Sequence, residues 1–209
     1  ALNRGAIENV ISRVTGGDPS EIDGTLHSTI PGADVWLLNP SGVVFGAGAE
    51  VDAKGPFHAG AADYVDFGEG DLVRFYGDPS RPSVLATVRL AASGLLPESA
   101  AASLAVEGST LEVPEGETLE LVGRGLSAPD AEPGLSLTGA KLLAPGGHVS
   151  LEAQHEVAFS QSLVNVGREG DTPGTISIRG GQILIEQDSQ VLAESQSPVP
   201  ADDAEPGPG

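Results

Sequence analysis

Between residues 104 and 185 the chain repeats one spacing of apolar residues four times. Apolar residues stand at relative positions 0, 2, 7 and 9 of each copy, and a small or polar residue stands at position 4. The copies begin at Leu104, Leu135, Val157 and Ile176. Alternation with a period of two indicates strands that bury one face. Glycine, which occupies position 4 in three copies, permits a bend between two such strands because it has no Cβ.

The spacing between copies, where no insertion intervenes, is close to one coil of a β-solenoid, roughly 20 residues. Three copies continue, after a turn, into a further apolar pair. These pairs are Leu119 and Leu121, Val149 and Leu151, and Val191 and Ala193. A β-sandwich would need hairpin turns, and the one clear Asp-Gly signal, at Asp23 and Gly24, lies between segments too short to be two strands. The sequence therefore predicts an all-β chain that forms a parallel β-helix.

Stacking of the coils is required by the energy balance of a single coil. One coil buries about six aliphatic side chains, each worth roughly 1.5–3 kcal/mol. Ordering the ~20 residues of that coil costs roughly 1–2 kcal/mol per residue in backbone entropy alone. A lone coil therefore does not fold, whereas stacked coils bury one another and complete each other's hydrogen-bond ladders.

Charge and composition exclude several classes of function. The net charge is −20, so the chain would repel nucleic acid and anionic lipid, which bind proteins through basic patches. No apolar stretch approaches the ~18 residues of a membrane span. Cysteine and methionine are absent, which suits a chain that crosses an oxidising compartment before it folds. Residues 1–30 contain no signal peptide, and we expect one upstream in a longer protein of which this chain is a fragment.

Three motifs in the first half fall in order along the chain. They are Arg13-Val14-Thr15-Gly16-Gly17, Ile22-Asp23-Gly24-Thr25-Leu26 and Leu38-Asn39-Pro40-Ser41-Gly42-Val43-Val44-Phe45-Gly46. Within the last motif, residues 39–42 have the composition of a β-turn between two strands, with proline at the second position and glycine at the fourth. Together with weaker similarity over about residues 5–195, these motifs resemble the filamentous-haemagglutinin-type amino-terminal secretion domain of two-partner-secreted exoproteins.

The resemblance implies a right-handed parallel β-helix with extra strands outside it in the middle of the chain. Residues 71–76 and 84–90 alternate without fitting the repeat, in agreement with that expectation. The predicted organisation is a first set of coils over residues 1–55, extra-helical strands over 56–100 and stacked coils over 101–195. Residues 196–209, rich in proline and acidic residues, are predicted to be a flexible tail.

The resemblance also implies a function without catalysis, cofactor or metal. The chain would be the export address of a large exoprotein, an adhesin, and would be recognised by an outer-membrane β-barrel transporter with periplasmic docking domains. The parent would pass through the periplasm to the cell surface or exterior, and its remainder would contact host glycans or cell surfaces. The expected recognition residues are Arg13, Thr15, Gly16, Gly17, Asn39, Pro40, Ser41 and Gly42. The turn at Asn39 has a second interpretation, in which it only locks two strands together.

The alternative function is that of a carbohydrate-active β-helix enzyme, a polysaccharide lyase or hydrolase. Paired carboxylates could perform acid–base chemistry or bind Ca²⁺. Two clusters offer such pairs, Asp18 with Glu21 and Asp23, and Asp66 with Glu69 and Asp71. Few basic residues accompany them, and acidic residues in glycine-rich turns are usually solvated loops. The four histidines have no zinc-ligand spacing.

Overall fold

The computed structural model describes residues 7–66, 74–83, 92–94, 102–125, 132–169 and 173–196, and those residues contain strands and no helix. The first two coils contain β1 (Asn9–Arg13), β2 (Ser20–Ile22), β3 (Thr25–His27), β4 (Asp34–Leu38), β5 (Val43–Phe45) and β6 (Glu50–Asp52). The third coil begins with β7 (Phe57–Gly60), is interrupted by β8 (Tyr64–Asp66), β9 (Arg74–Tyr76) and β10 (Ala92–Gly94), and resumes with β11 (Leu104–Glu107) and β12 (Thr110–Glu112). The fourth and fifth coils contain β13 (Thr118–Gly123), β14 (Leu135–Thr138), β15 (Lys141–Leu143), β16 (His148–Ala153), β17 (Glu156–Ser160) and β18 (Leu163–Asn165). The short strand β19 (Arg168–Glu169) precedes the sixth coil, which contains β20 (Thr175–Arg179), β21 (Gln182–Glu186) and β22 (Gln190–Leu192) and is followed by β23 (Ser195–Gln196).

Each coil contributes one strand to each of three six-stranded parallel sheets. The first sheet has the order β1-β4-β7-β13-β16-β20, the second β2-β5-β11-β14-β17-β21 and the third β3-β6-β12-β15-β18-β22. Every strand therefore pairs with the equivalent strand of the coil before and the coil after. This arrangement confirms the predicted parallel β-helix. Its right-handed sense stays an expectation, supported by the strong general preference for right-handed crossovers between parallel strands.

Inward-pointing aliphatic side chains form rows that run through the coils. Leu104 lies beside Leu135, and Leu135 lies beside Val157, in the second sheet. All three side chains are fully buried. Every second residue of these strands faces the core, and parallel register places equivalent residues over one another, so the repeat of the sequence becomes the repeat of the core.

The fourth copy of the repeat does not lie in the same sheets as the first three. Val157 is followed in its row by Ile183, whereas Ile176 pairs with Val149 in the first sheet. Val191 likewise pairs with Val164 in the third sheet and not with the residues of the first. The error has a simple cause, because all three sheets have the same apolar alternation. In the last coil, seven positions separate Ile176 in the first sheet from Ile183 in the second. The same seven positions separate Leu104 in the second sheet from Leu111 in the third.

A separate antiparallel sheet lies outside the β-helix. It has the order β10-β8-β9 and comes from the segment predicted to lie outside. β7 pairs with β4 and β13 inside the first sheet, so the described strands outside the β-helix begin with β8. Of the two alternating segments, residues 74–76 form β9, while 71–73 and 84–90 lie outside the described residues, as does the tail from residue 197 onward. The limits of the four predicted regions stay predictions.

Candidate functional site

Two of the sequence motifs lie next to each other at one corner of the helix. We call the first corner the set of turns that lead from the first sheet to the second in successive coils. Residues 14–19 form this turn in the first coil, and residues 39–42 form it in the second. The backbone N–H of Val14 donates to the carbonyl of Leu38 at 2.9 Å, and that of Ser20 donates to the carbonyl of Gly42 at 3.0 Å. The two turns are therefore stacked as the strands on either side of them are.

Asn39 joins the two turns from inside. Its side chain is fully buried, and Nδ2 donates to the carbonyl of Asp18 at 3.1 Å and to Oγ of Ser20 at 2.9 Å. Its Oδ1 accepts the backbone N–H of Ser41 at 2.9 Å, and its own carbonyl accepts that of Gly42 at 3.0 Å. Asparagine suits this position because one amide supplies both a donor and an acceptor.

Gly42 allows the next coil to approach. Its φ of +116° is in the region that favours glycine, and an added Cβ would lie 2.9 Å from the carbonyl oxygen of Ser103. That carbonyl accepts the backbone N–H of Val43 at 3.1 Å. The turn is thus bonded to the first coil on one side and to the third on the other. Pro40 contacts the extra-helical segment, since a Cβ added to Gly77 would lie 2.4 Å from Cγ of Pro40.

Arg13 connects the first coil to the extra-helical sheet. Its Nη1 donates to the carbonyl of Tyr76 at 3.2 Å, and its guanidinium carbon lies 4.9 Å from the centre of the Phe75 ring. A cation over an aromatic face is attracted by the ring electrons. The side chain of this predicted recognition residue is thus engaged within the molecule and half-buried.

The accessible part of the first corner is the loop of the first coil. Thr15, Gly16 and Gly17 are all exposed, and a Cβ added to either glycine would meet nothing within 4 Å. Ser41 is half-buried beside this loop, with its Oγ 3.5 Å from the carbonyl of Gly16. The structure therefore brings all eight predicted residues to one corner and separates them into a buried frame and an exposed loop.

The sequence did not single out the residues that hold the extra-helical sheet against the helix. Val65 and Phe75 cover Trp36, whose side chain points away from the helix core. The rings of Trp36 and His58 stack with their centres 3.8 Å apart, and Nδ1 of His58 lies 2.7 Å from Oε2 of Glu120. The available signal was weak: the alternation that packs Val35 and Leu37 against the core leaves Trp36 on the outer face, where an exposed tryptophan would be unusual.

A buried ion pair fixes the start of the extra-helical segment. The guanidinium of Arg124 binds the carboxylate of Asp63, and both side chains are buried. Arg124 directly follows β13 and stands between Gly123 and Gly125. The backbone N–H of Arg124 also donates to the carbonyl of Ala102, where the chain returns to the helix. The first corner of the fourth coil therefore contacts both ends of the inserted segment.

Two of the acidic residues considered for catalysis make contacts within the molecule. Oδ1 of Asp23 accepts the backbone N–H of Gly48 at 2.6 Å, and Asp66 pairs with Arg74 at 3.3 Å. Glu69 and Asp71 lie outside the described residues. No group of three or more potential ligands that could hold a metal ion is found in the part of the chain that the structure describes.

Comparison with known protein families shows to which family the chain belongs. The sequence model of the family described as TPS secretion domain matches residues 2–197. The chain belongs to this family. Among curated proteins and among solved structures, none matches the chain. As a TPS secretion domain, the chain is the secretion domain of a two-partner exoprotein, a non-catalytic kind of export domain whose system includes a transporter partner. No helix in the described parts of this TPS secretion domain is both long and apolar enough to cross a membrane.

Proposed function

We propose that the first corner of this TPS secretion domain is the address that an outer-membrane β-barrel transporter reads through its periplasmic docking domains. The observation that supports this proposal is the exposed loop of residues 15–17. It lies at the corner where the motifs that contain Arg13 and Asn39 meet the extra-helical sheet. Asn39, Gly42 and Arg13 make internal contacts, so they hold the loop in place. The recognised atoms then belong to Thr15, Gly16, Gly17 and Ser41.

Transport and folding are coupled in this proposal. The parent protein, an adhesin, crosses the periplasm unfolded and emerges through the transporter. Coils then stack at the cell exterior. Each added coil buries its side chains on the coil before it, so folding outside disfavours return of the chain and no nucleotide is needed to drive export.

The test is a secretion assay on the exoprotein with Gly16→Arg and Gly17→Arg. Both sites have open space around an added Cβ, so the fold should be kept. Gly24→Arg is the matched control, because Gly24 is equally exposed and open but lies between β2 and β3, at another corner. We expect about tenfold less secreted protein for the two first-corner variants, since a bulky cation in a recognised loop costs about 1–2 kcal/mol of binding, and wild-type secretion for the control.

The fold of each purified variant is checked by circular dichroism and thermal unfolding. Wild-type secretion of both first-corner variants, or an equal loss in Gly24→Arg, would contradict the proposal. Asn39→Ala serves as the comparison for a structural defect, because it should lower secretion and stability together.

A further inference from the structure

The third sheet is split between the second and third coils. Three residues are in register at each of the other steps of this sheet, but β6 and β12 are in register only at Glu50 and Thr110. Beyond that pair the strands diverge and leave a groove of about 620 Å³, lined by residues 47–54 and by residues of β12 and its two ends. We call this opening the split groove.

A difference in loop length explains the split groove. Glu50 is paired with Thr110 in the third sheet, and Phe57 is paired with Leu119 in the first. Seven positions separate Glu50 from Phe57, whereas nine separate Thr110 from Leu119. The two extra residues of the longer connection, around Pro114, must arc away from the shorter one. The ladder is lost where this arc begins.

The split groove leaves strand edges facing each other. Backbone groups of successive residues in a strand point to opposite neighbours. The N–H of Val113 donates to Leu143, in the direction of β15, so the N–H and carbonyl of Glu112 point toward the groove. Glu50 donates to Gly24 and Asp52 accepts from Ser28, both in the direction of β3, so Val51 and Ala53 point toward β12. The N–H of Glu112 faces the carbonyl of Val51 as the next position of the ladder. The N–H of Ala53 and the carbonyl of Glu112 follow, and no hydrogen bond joins these two described residues. Such edges are what an added strand binds.

The floor of the split groove is apolar. Ala49, Val51 and Ala53 belong to the helix core but are 5–7% exposed. Their neighbours farther along the third sheet are fully covered, and Leu111, Leu142 and Val164 are each 0% exposed. The divergence of the strands therefore leaves an apolar floor that is slightly less covered than the rest of the third sheet.

The rim of the split groove is acidic. Glu50 and Glu112 are exposed and, among the described residues, neither forms a salt bridge. Asp52, between them, is already neutralised, because Lys54 lies 2.5 Å and His27 lies 2.7 Å from its carboxylate oxygens. The hydrogen bond from Lys54, and then that from His27, lowers the pKa of Asp52 below its ordinary value. Two carboxylates without a cation thus flank free backbone edges above an apolar floor.

From this combination we infer that the split groove binds a short extended segment of a partner polypeptide in which apolar and basic residues alternate. In an extended chain, alternate side chains point to opposite faces. One face would place apolar side chains over Val51 and Ala53, and the other would place lysine or arginine beside Glu50 and Glu112. The backbone would bond to the free edges. The inference does not depend on recognition at the first corner.

Binding is tested with the isolated domain and an acetylated, amidated pentapeptide of alternating lysine and valine, followed by nuclear magnetic resonance. We expect the peptide to shift the amide resonances of residues 51–54 and 110–114 and to slow amide exchange at Ala53, which should exchange faster than Val113 in the free domain. The same peptide N-methylated at its valines should bind more weakly, since it lacks the backbone donors along one edge.

Charge reversal supplies the matched comparison. The double variant Glu50→Lys and Glu112→Lys should bind the peptide about tenfold or more weakly, because two attractive ion pairs become repulsive. Glu186→Lys, an equally exposed reversal in β21, should bind as the wild type does. Unchanged affinity in the double variant, undiminished binding of the N-methylated peptide, or exchange at Ala53 as slow as at Val113 in the free domain would overturn the inference. None of these outcomes depends on the secretion assay.

Discussion

Asn39 is the residue on which the contacts of the first corner converge. It is buried, it contacts Asp18 and Ser20 in the preceding coil, and it closes its own turn through Ser41. The sequence predicted the turn from its composition, because proline and glycine occupy the positions that a β-turn favours. It could not predict which member of the turn is buried, since that depends on residues about 20 positions away, in the neighbouring coil.

Replacement of Asn39 by alanine should destabilise the domain by about 2–4 kcal/mol, because three hydrogen bonds are lost and the carbonyl of Asp18 is left without this donor. Ser41→Ala should change stability by less than about 0.5 kcal/mol, since its Oγ has only a long contact of 3.5 Å with Gly16. Urea unfolding followed by circular dichroism measures both. Equal losses in the two variants would contradict the role assigned to Asn39.

At the scale of elements, the extra-helical sheet is attached to the helix by contacts from several coils. Arg13 in the first coil contacts β9, and Trp36 in the second is covered by β8 and β9. Arg124 in the fourth coil binds Asp63 directly before β8. The sheet therefore spans the side of the helix and links coils that do not pair with one another.

The Arg124 and Asp63 pair can be tested by a double-mutant cycle. Arg124→Leu should cost about 3–5 kcal/mol, because it removes a guanidinium from a buried carboxylate. Asp63→Leu should be similarly costly, and the double variant should recover a large part of the loss because no buried charge is left. The measurement is the midpoint of urea unfolding for each variant. Strictly additive losses would show that the two side chains do not stabilise each other.

At this scale the sequence predicts the stacked strands correctly where a spacing of apolar residues fits only one of the three sheets. Stacking of Leu104, Leu135 and Val157 followed from a repeat whose connections keep nearly constant length. The spacing did not show that Ile176 belongs to the first sheet, because the same alternation fits all three sheets. Only the lengths of the connecting turns distinguish one sheet from another. The ion pair of Asp63 and Arg124 could not be predicted from the sequence, since 61 positions separate its members.

At the scale of the whole molecule, burial falls toward the last described coil. Val157 and Phe159 are covered by the sixth coil, whereas Ile183 and Ile185, which continue their rows, are 46% and 49% exposed. Among the described residues no strand pairs with β21 on its far side. Apolar rows therefore end at a surface of isoleucine side chains.

This decrease in burial along the coils predicts that truncating an aliphatic side chain destabilises the domain less in the last described coil than in the middle. Leu135→Ala should destabilise the domain by about 2–5 kcal/mol, because a fully buried side chain is removed between two coils. Ile183→Ala should cost about 1 kcal/mol or less, because half of the side chain is already in contact with solvent. Thermal unfolding of the two variants provides the comparison. A loss for Ile183→Ala as large as that for Leu135→Ala would mean that the isoleucine surface is covered in solution.

The position of the extra-helical segment determines the order of folding events in a chain that folds as it emerges from a transporter. Two coils and β7 would be complete by Gly60, but β11, the next strand of the helix, does not start until Leu104. Growth of the helix would halt during this interval, with the amino-terminal coils held by their own contacts and by the sheet that begins at Tyr64. Progress after the halt would then be regular, one coil at a time, because each later strand needs only the coil before it.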